Sequence, residues 1–178
     1  MRTFLVTVIL LAAGSGPALA DPTGLLVNGT LMKPVGGEGR VSQSSGAGGE
    51  ILMLPSSSWM VQIGGYGVFG QAAPGVEARD IFDLHLQLGM TPAERMAPVA
   101  PYACVGIDIL SITTREHEKG QTARGTTLGV SAQAGVLGRI GDRGLVKASG
   151  SYLGAIVPGT GDDLGGLVFQ LAAGLAFD

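Results

Sequence analysis

Charge is the first thing this chain lacks. Asp, Glu, Lys and Arg make up 14% of its 178 residues, against ~25% in ordinary soluble domains. That is too little to wet the surface of a water-soluble domain of this size. Basic side chains number 11 against 14 acidic, so no basic patch exists to neutralise phosphates, and nucleic acid is excluded as a partner. Cysteine is nearly absent. Cys104 stands alone, and no internal disulfide can staple the fold. Aromatics are only 5% of the chain. After the N-terminal segment no run reaches the ~18–20 apolar residues of a membrane-spanning helix. Zinc-ligand spacing, a phosphate loop, a nucleophile elbow and a dinucleotide fingerprint are all missing, so no cofactor, metal site or catalytic constellation is expected. The two histidines, His85 and His117, fall in different elements.

What is present begins with a leader. Arg2 is followed by an apolar stretch over residues 4–13, a Gly-Ser-Gly-Pro break and Ala18-Leu19-Ala20. This is the charged, apolar, small-x-small order of a secretory signal peptide, with Ala18 and Ala20 as the cleavage determinants. The apolar part is too short for a transmembrane anchor, and no cysteine follows to make a lipoprotein. Residues 1–20 are therefore expected to be removed, leaving residues 21–178 as one domain.

A chain poor in charge, exported, and without a spanning helix has one membrane solution. Lipid offers no partners to backbone N–H and C=O groups, so only helices and closed barrels cross it. Glycine, 31 of 178 residues, suits a narrow barrel. The signal to look for is period-two alternation in segments of about ten residues. It is clearest at 166–177, where Leu167, Phe169, Leu171, Ala173, Leu175 and Phe177 share one face and Gly166, Val168, Gln170, Ala172, Gly174 and Ala176 the other. Bulk outside and small residues inside fit a barrel in lipid; a soluble barrel would reverse them.

Five more segments alternate. Phe82, Leu84, Leu86, Leu88 and Met90 oppose Arg79, Asp83, His85 and Gln87 over 77–90. Ala103, Val105, Ile107 and Ile109 oppose Asp108 over 100–112, and Trp59, Val61, Ile63 and Phe69 oppose Gln62 over 59–69. Leu128, Val130, Ala132, Ala134, Val136 and Ile140 oppose Thr127, Ser131, Gln133 and Arg139 over 127–140. Val146, Ala148, Tyr152 and Ile156 oppose Lys147, Ser149 and Ser151 over 145–157. Two further strands, at 24–33 and within 46–54, bring both termini to one side. The expectation is an all-β, antiparallel, up-and-down transmembrane barrel of eight strands. Short turns fall at 55–58 and 141–144 with a middling one at 91–98; longer loops fall at 34–48, 70–76 and 113–125. The last of these holds Arg115, Glu116, His117, Glu118, Lys119 and Arg124 as a solvated tip. Asn28-Gly29-Thr30 matches a glycosylation sequon by chance.

Three features resemble the small outer-membrane β-barrel superfamily, whose familiar members are the OmpA transmembrane domain and OmpX. Pro101-Tyr102-Ala103-Cys104-Val105-Gly106 looks like the Pro-Tyr-x-x-x-Gly strand opening common there, and residues 129–139 look like the glycine-alternating strand that follows it. Gln170, Ala172, Leu175 and Phe177 are similar to the C-terminal assembly signal, with Ala172 where glycine is usual and Asp178 after the closing aromatic. The resemblance, over 59–178, implies an outer-membrane location in a Gram-negative bacterium, outer-membrane lipid as the surroundings, and the barrel-assembly machinery as a partner during biogenesis.

Eight strands leave an interior just wide enough for side chains, so the lumen is expected to be plugged rather than open. Inward Asp83 and Asp108, on neighbouring strands at similar height, repel in a dry lumen unless cations sit close. Arg79, His85, Arg139 and Lys147 are the expected partners, with Gln87, Gln133 and Gln170 completing one structural polar network. The role expected is structural, or binding through the loops, with the surface ligand unknown. The alternatives are a barrel enzyme acting on outer-membrane lipid and a soluble periplasmic binding barrel.

Overall fold

The computed structural model describes residues 23–34, 43–54, 58–73, 76–91, 98–116, 122–155 and 165–177. Residues 1–20, expected to be a leader with Ala18 and Ala20 at its cleavage site, lie outside the described residues, as do His117, Glu118, Lys119, Ile156 and Asp178. Eight strands close into a barrel: β1 (Thr23–Pro34), β2 (Ser44–Met53), β3 (Trp59–Ala73), β4 (Val76–Met90), β5 (Val99–Glu116), β6 (Thr122–Ile140), β7 (Gly144–Ala155) and β8 (Gly166–Phe177). Each pairs antiparallel with its neighbours in sequence, and β1 pairs with β8 to complete the ring. Closure removes the unpaired edge that an open sheet would carry. No helix among the described residues is long and apolar enough to cross a membrane.

The alternation of the sequence becomes inside and outside. Leu171, Val105, Ile107, Leu128, Val130, Leu86 and Leu88 project outward and are exposed, Leu171 to 71%. On β4 the outward apolar run from Phe82 to Met90 covers nine residues, within the ~9–11 that a tilted membrane-crossing strand needs. Trp59 and Phe177 stand at the end of the barrel that carries the termini, and Phe69 near the other.

Three connections differ from the sequence expectation. Residues 44–48, read as loop, belong to β2. Their glycines let the β2 and β3 backbones approach closely: a Cβ on Gly48 would stand 2.0 Å from the Gly65 carbonyl oxygen and 2.7 Å from the Tyr66 Cα. The segment 70–76 is mostly strand as well. Gly70 (φ 68°) sits at an irregularity of the β3–β4 register and donates its N–H to Asp80 Oδ1 at 3.0 Å. A glycine in the left-handed region marks a bulge as readily as a loop. Finally, β5 and β6 extend to Glu116 and back to Thr122. Arg115 and Arg124 are thus exposed strand residues beyond the apolar belt, Arg115 pairing with Asp80 at 3.2 Å.

The lumen has three storeys. Toward the loop end, Met32, Tyr66, Val68, Ile81, Leu110, Ile112, Leu153 and Val168 form one apolar cluster. Toward the termini, Leu26, Leu52, Met60, Tyr102, Cys104 and Ala172 form another, with Leu54, Leu137 and Leu145 against it. Between them lies a layer of buried polar side chains.

Candidate functional site

The polar middle storey is the one concentration of inward chemistry among the described residues. Each member gets there by strand parity. Asp83, His85 and Gln87 are successive inward positions of β4, Asp108 of β5, Ser131 and Gln133 of β6, Lys147 and Ser149 of β7, Gln170 of β8, Glu50 of β2 and Gln62 of β3. Burial of such groups is tolerable only when each finds a partner.

The layer divides in two. On one side, Lys147 Nζ donates to Glu50 Oε2, both side chains being shielded from solvent, and Gln62 Nε2 donates to the same oxygen at 2.7 Å. Next to this pair, Gln133 Nε2 lies 3.1 Å from Ser149 Oγ and 3.1 Å from Gln170 Oε1. Thr30 Oγ1 donates to Asn28 Oδ1 at 3.1 Å. On the other side, His85 Nδ1 donates to Asp83 Oδ1 at 2.6 Å. Ser131 Oγ donates to Asp108 Oδ1 at 3.1 Å and accepts from Gln87 Nε2 at 2.9 Å. Gly64 stands between the halves, paired in register with both Glu50 and His85.

Asp83 and Asp108 are inward on adjacent strands, with Asp108 directly opposite His85 in register. The expected sharing of all four cations between them is corrected by the structure. Lys147 is committed to Glu50. Arg79 lies on the face of Asp83, but it is half-buried, beyond Ile81 and level with Gln71 at the β3 irregularity. No ion pair joins it to Asp83 among the described residues. At ~3.4 Å per residue, four positions along a strand outrun a guanidinium, and buried Ile81 fills the space between. Arg139 Nη2 donates instead to the Asp142 carbonyl and caps the β6–β7 turn. Only His85 remains for the aspartates.

Gln87, Gln133 and Gln170 lie in the layer. Of the C-terminal residues, Gln170 and Ala172 face the lumen, while Leu175 and Phe177 face outward. Gln62 and Ser131, already placed on the inward face by their alternation, join the layer, and Glu50 and Asn28 complete it without having been assigned to the lumen from the sequence. The signal for these two was parity: Glu50 precedes inward Leu52 by two, and Asn28 follows inward Leu26 by two.

No family model matches this chain, and no curated protein matches it in sequence. Solved structures match in fold. The N-terminal β-barrel domain of Pseudomonas aeruginosa OprF is similar with a TM-score of 0.59 at 13% identity, over 86% of this chain and 97% of that one. Neisserial surface protein A gives 0.63 at 10% identity, over 86% and 95%. Ail, the attachment invasion locus protein of Yersinia pestis, gives 0.59 at 15% identity, over 88% and 99%. The chain has the fold of the small, eight-stranded outer-membrane barrels.

Proposed function

We propose that this protein is an integral outer-membrane barrel with a closed lumen, exported by a leader at residues 1–20, whose work lies in its envelope position and its loop end rather than in transport or catalysis. One observation carries the reading: the faces are inverted relative to a soluble protein. Apolar side chains from Phe82, Leu86, Val105, Ile107, Leu128, Val130 and Leu171 are exposed, while Glu50, Asp83, Asp108 and Lys147 are inside. A soluble periplasmic barrel would place its charge outside. Apolar clusters above and below the polar layer oppose a water path. They also oppose lipid chemistry at His85, which is buried with Asp83 in mid-lumen, while Ser131 is spent on Asp108 and Gln87.

The test is fractionation and reconstitution of the full chain. Expected results are outer-membrane recovery of a product shortened by 20 residues, detergent dependence, a gel mobility that changes on boiling, and no conductance in planar bilayers. A detergent-free soluble monomer overturns the membrane reading; steady channel conductance overturns the closed lumen.

A further inference from the structure

We propose that Asp83, His85 and Asp108 form an intraluminal binding site for a divalent transition-metal ion. One donor atom from each lies within 4.8 Å of the others, and all three side chains are almost fully buried, at 0%, 3% and 2% exposure. Each residue is tied at one atom and free at another. His85 Nδ1 is bonded to Asp83 Oδ1, leaving His85 Nε2 and Asp83 Oδ2 without a hydrogen-bond partner. Ser131 holds Asp108 Oδ1, leaving Asp108 Oδ2 without one.

Three buried orphan atoms in one cluster need an explanation, because a buried polar group without a partner is costly. A carboxylate only accepts, so the bond to Asp83 places the proton of a neutral imidazole on Nδ1 and leaves the Nε2 lone pair unshared. Gly64 keeps the space beside that atom open: a Cβ there would stand 2.9 Å from Nε2. Charge points the same way. The site's two carboxylates have no Lys or Arg beside them among the described residues, since Lys147 serves Glu50. A divalent ion with two carboxylates and a neutral imidazole sums to zero, the state that burial favours. Asp83, on the Nδ1 side of the ring, orients the imidazole as an outer-shell carboxylate. The protein donors are therefore His85 Nε2 and Asp108 Oδ2, a nitrogen–oxygen set that suits Zn²⁺, Mn²⁺ or Fe²⁺ better than Ca²⁺ or Mg²⁺, which take oxygens. Ser131 and Gln87, behind Asp108, supply the outer bonds that orient a metal-binding carboxylate. Because apolar clusters cover the layer at both ends, the ion enters as the barrel closes and exchanges slowly afterwards.

The experiment folds the full chain from urea into detergent with Zn²⁺ or with a chelator, then measures bound zinc after desalting. The expected result is one Zn²⁺ per chain, retained against chelator once folded. His85→Gln and Asp108→Asn should weaken binding by at least the ~10–100-fold that loss of an outer-shell partner alone produces. Asn28→Ser, in the same layer but outside the cluster, should bind as wild type. The boiling-dependent gel shift reports folding of every variant. A folded wild-type barrel that takes up no Zn²⁺, with Asp83 and Asp108 sharing a proton instead, overturns the proposal. So does uptake unchanged in both ligand variants. Membrane partition is scored separately, so a barrel that enters lipid without zinc sinks this inference and leaves the membrane reading standing.

Discussion

On the β2–β3–β7 side of the lumen, Glu50 meets Lys147 and Gln62 at one oxygen, and its charge is answered within the structure. On the β4–β5–β6 side, Asp83 is bonded by one histidine and Asp108 by one serine hydroxyl. The two halves are at similar depth, equally dry, and separated by little more than Gly64. The difference teaches that a barrel of this size does not solve its buried charge as a single problem. Each half is satisfied locally, and the half left short of cations is where a ligand would be accommodated.

The comparison breaks most severely at Lys147. Lys147→Ala strands the Glu50 carboxylate in a dry lumen, which costs ~3–5 kcal/mol. Urea titration in detergent micelles should show that loss. Replacing both partners with uncharged residues of similar volume, Glu50→Gln with Lys147→Met, should recover most of it, since a missing pair is cheaper than half of one. A single variant as stable as wild type would mean that the pair carries no weight.

Next in size is a test of the faces themselves. Leu171 is outward and 71% exposed, whereas its neighbour Gln170 is inward and buried. Leu171→Arg should cost ~2–4 kcal/mol in lipid, the range for a basic residue near mid-membrane. Gln170→Leu should cost less, because Gln133 keeps its bond to Ser149. Equal folding yields for the two variants in lipid vesicles would contradict the assignment of inside and outside.

Facing was legible in the sequence because it depends only on parity: once Phe169 and Leu171 point outward, Gln170 has no choice. Eight strands could be placed on that basis, including β2 despite its glycines. Height and partnership were not legible. Arg79 shares the face of Asp83 but not its level, and Lys147 reaches across the barrel to Glu50, 97 positions away in sequence. Such contacts depend on register and shear around the ring, which no single segment encodes. Glycines misled in the other direction. Gly48 and Gly70 read as loop residues, yet one lets β2 lie close against the β3 backbone and the other sits at a register irregularity.

Gly64 couples the two halves, and a methyl group there tests that coupling. A Cβ would meet the Glu50 Cβ at 2.7 Å and both the Gly49 carbonyl oxygen and His85 Nε2 at 2.9 Å. Backbone cannot yield easily, so Gly64→Ala should cost ~1–3 kcal/mol, the usual range for overpacking. It should also reduce zinc uptake while leaving the fold detectable by gel shift. Unchanged stability with unchanged uptake would show that the two halves do not communicate through this position.

The smallest effect is the sharpest contrast. Asp108→Asn makes the same carboxylate-to-amide change as Glu50→Gln, but in the half that lacks a committed cation. In chelator-treated protein it loses the charge-assisted part of the Ser131 bond, worth about 1 kcal/mol, and gains relief from the Asp83 carboxylate nearby. The net change should stay within ~1 kcal/mol, whereas Glu50→Gln strands Lys147 at several times that cost. Zinc then separates the variants again. At a free concentration 100 times its dissociation constant, a bound ion stabilises the native state by about 2.7 kcal/mol, and Asp108→Asn should forfeit most of that increment. Urea titrations of both variants, each with chelator and with Zn²⁺, therefore give four numbers with a fixed order. If Asp108→Asn is as damaging as Glu50→Gln in the absence of metal, the Asp108 charge is already compensated and the asymmetry between the two halves is not real.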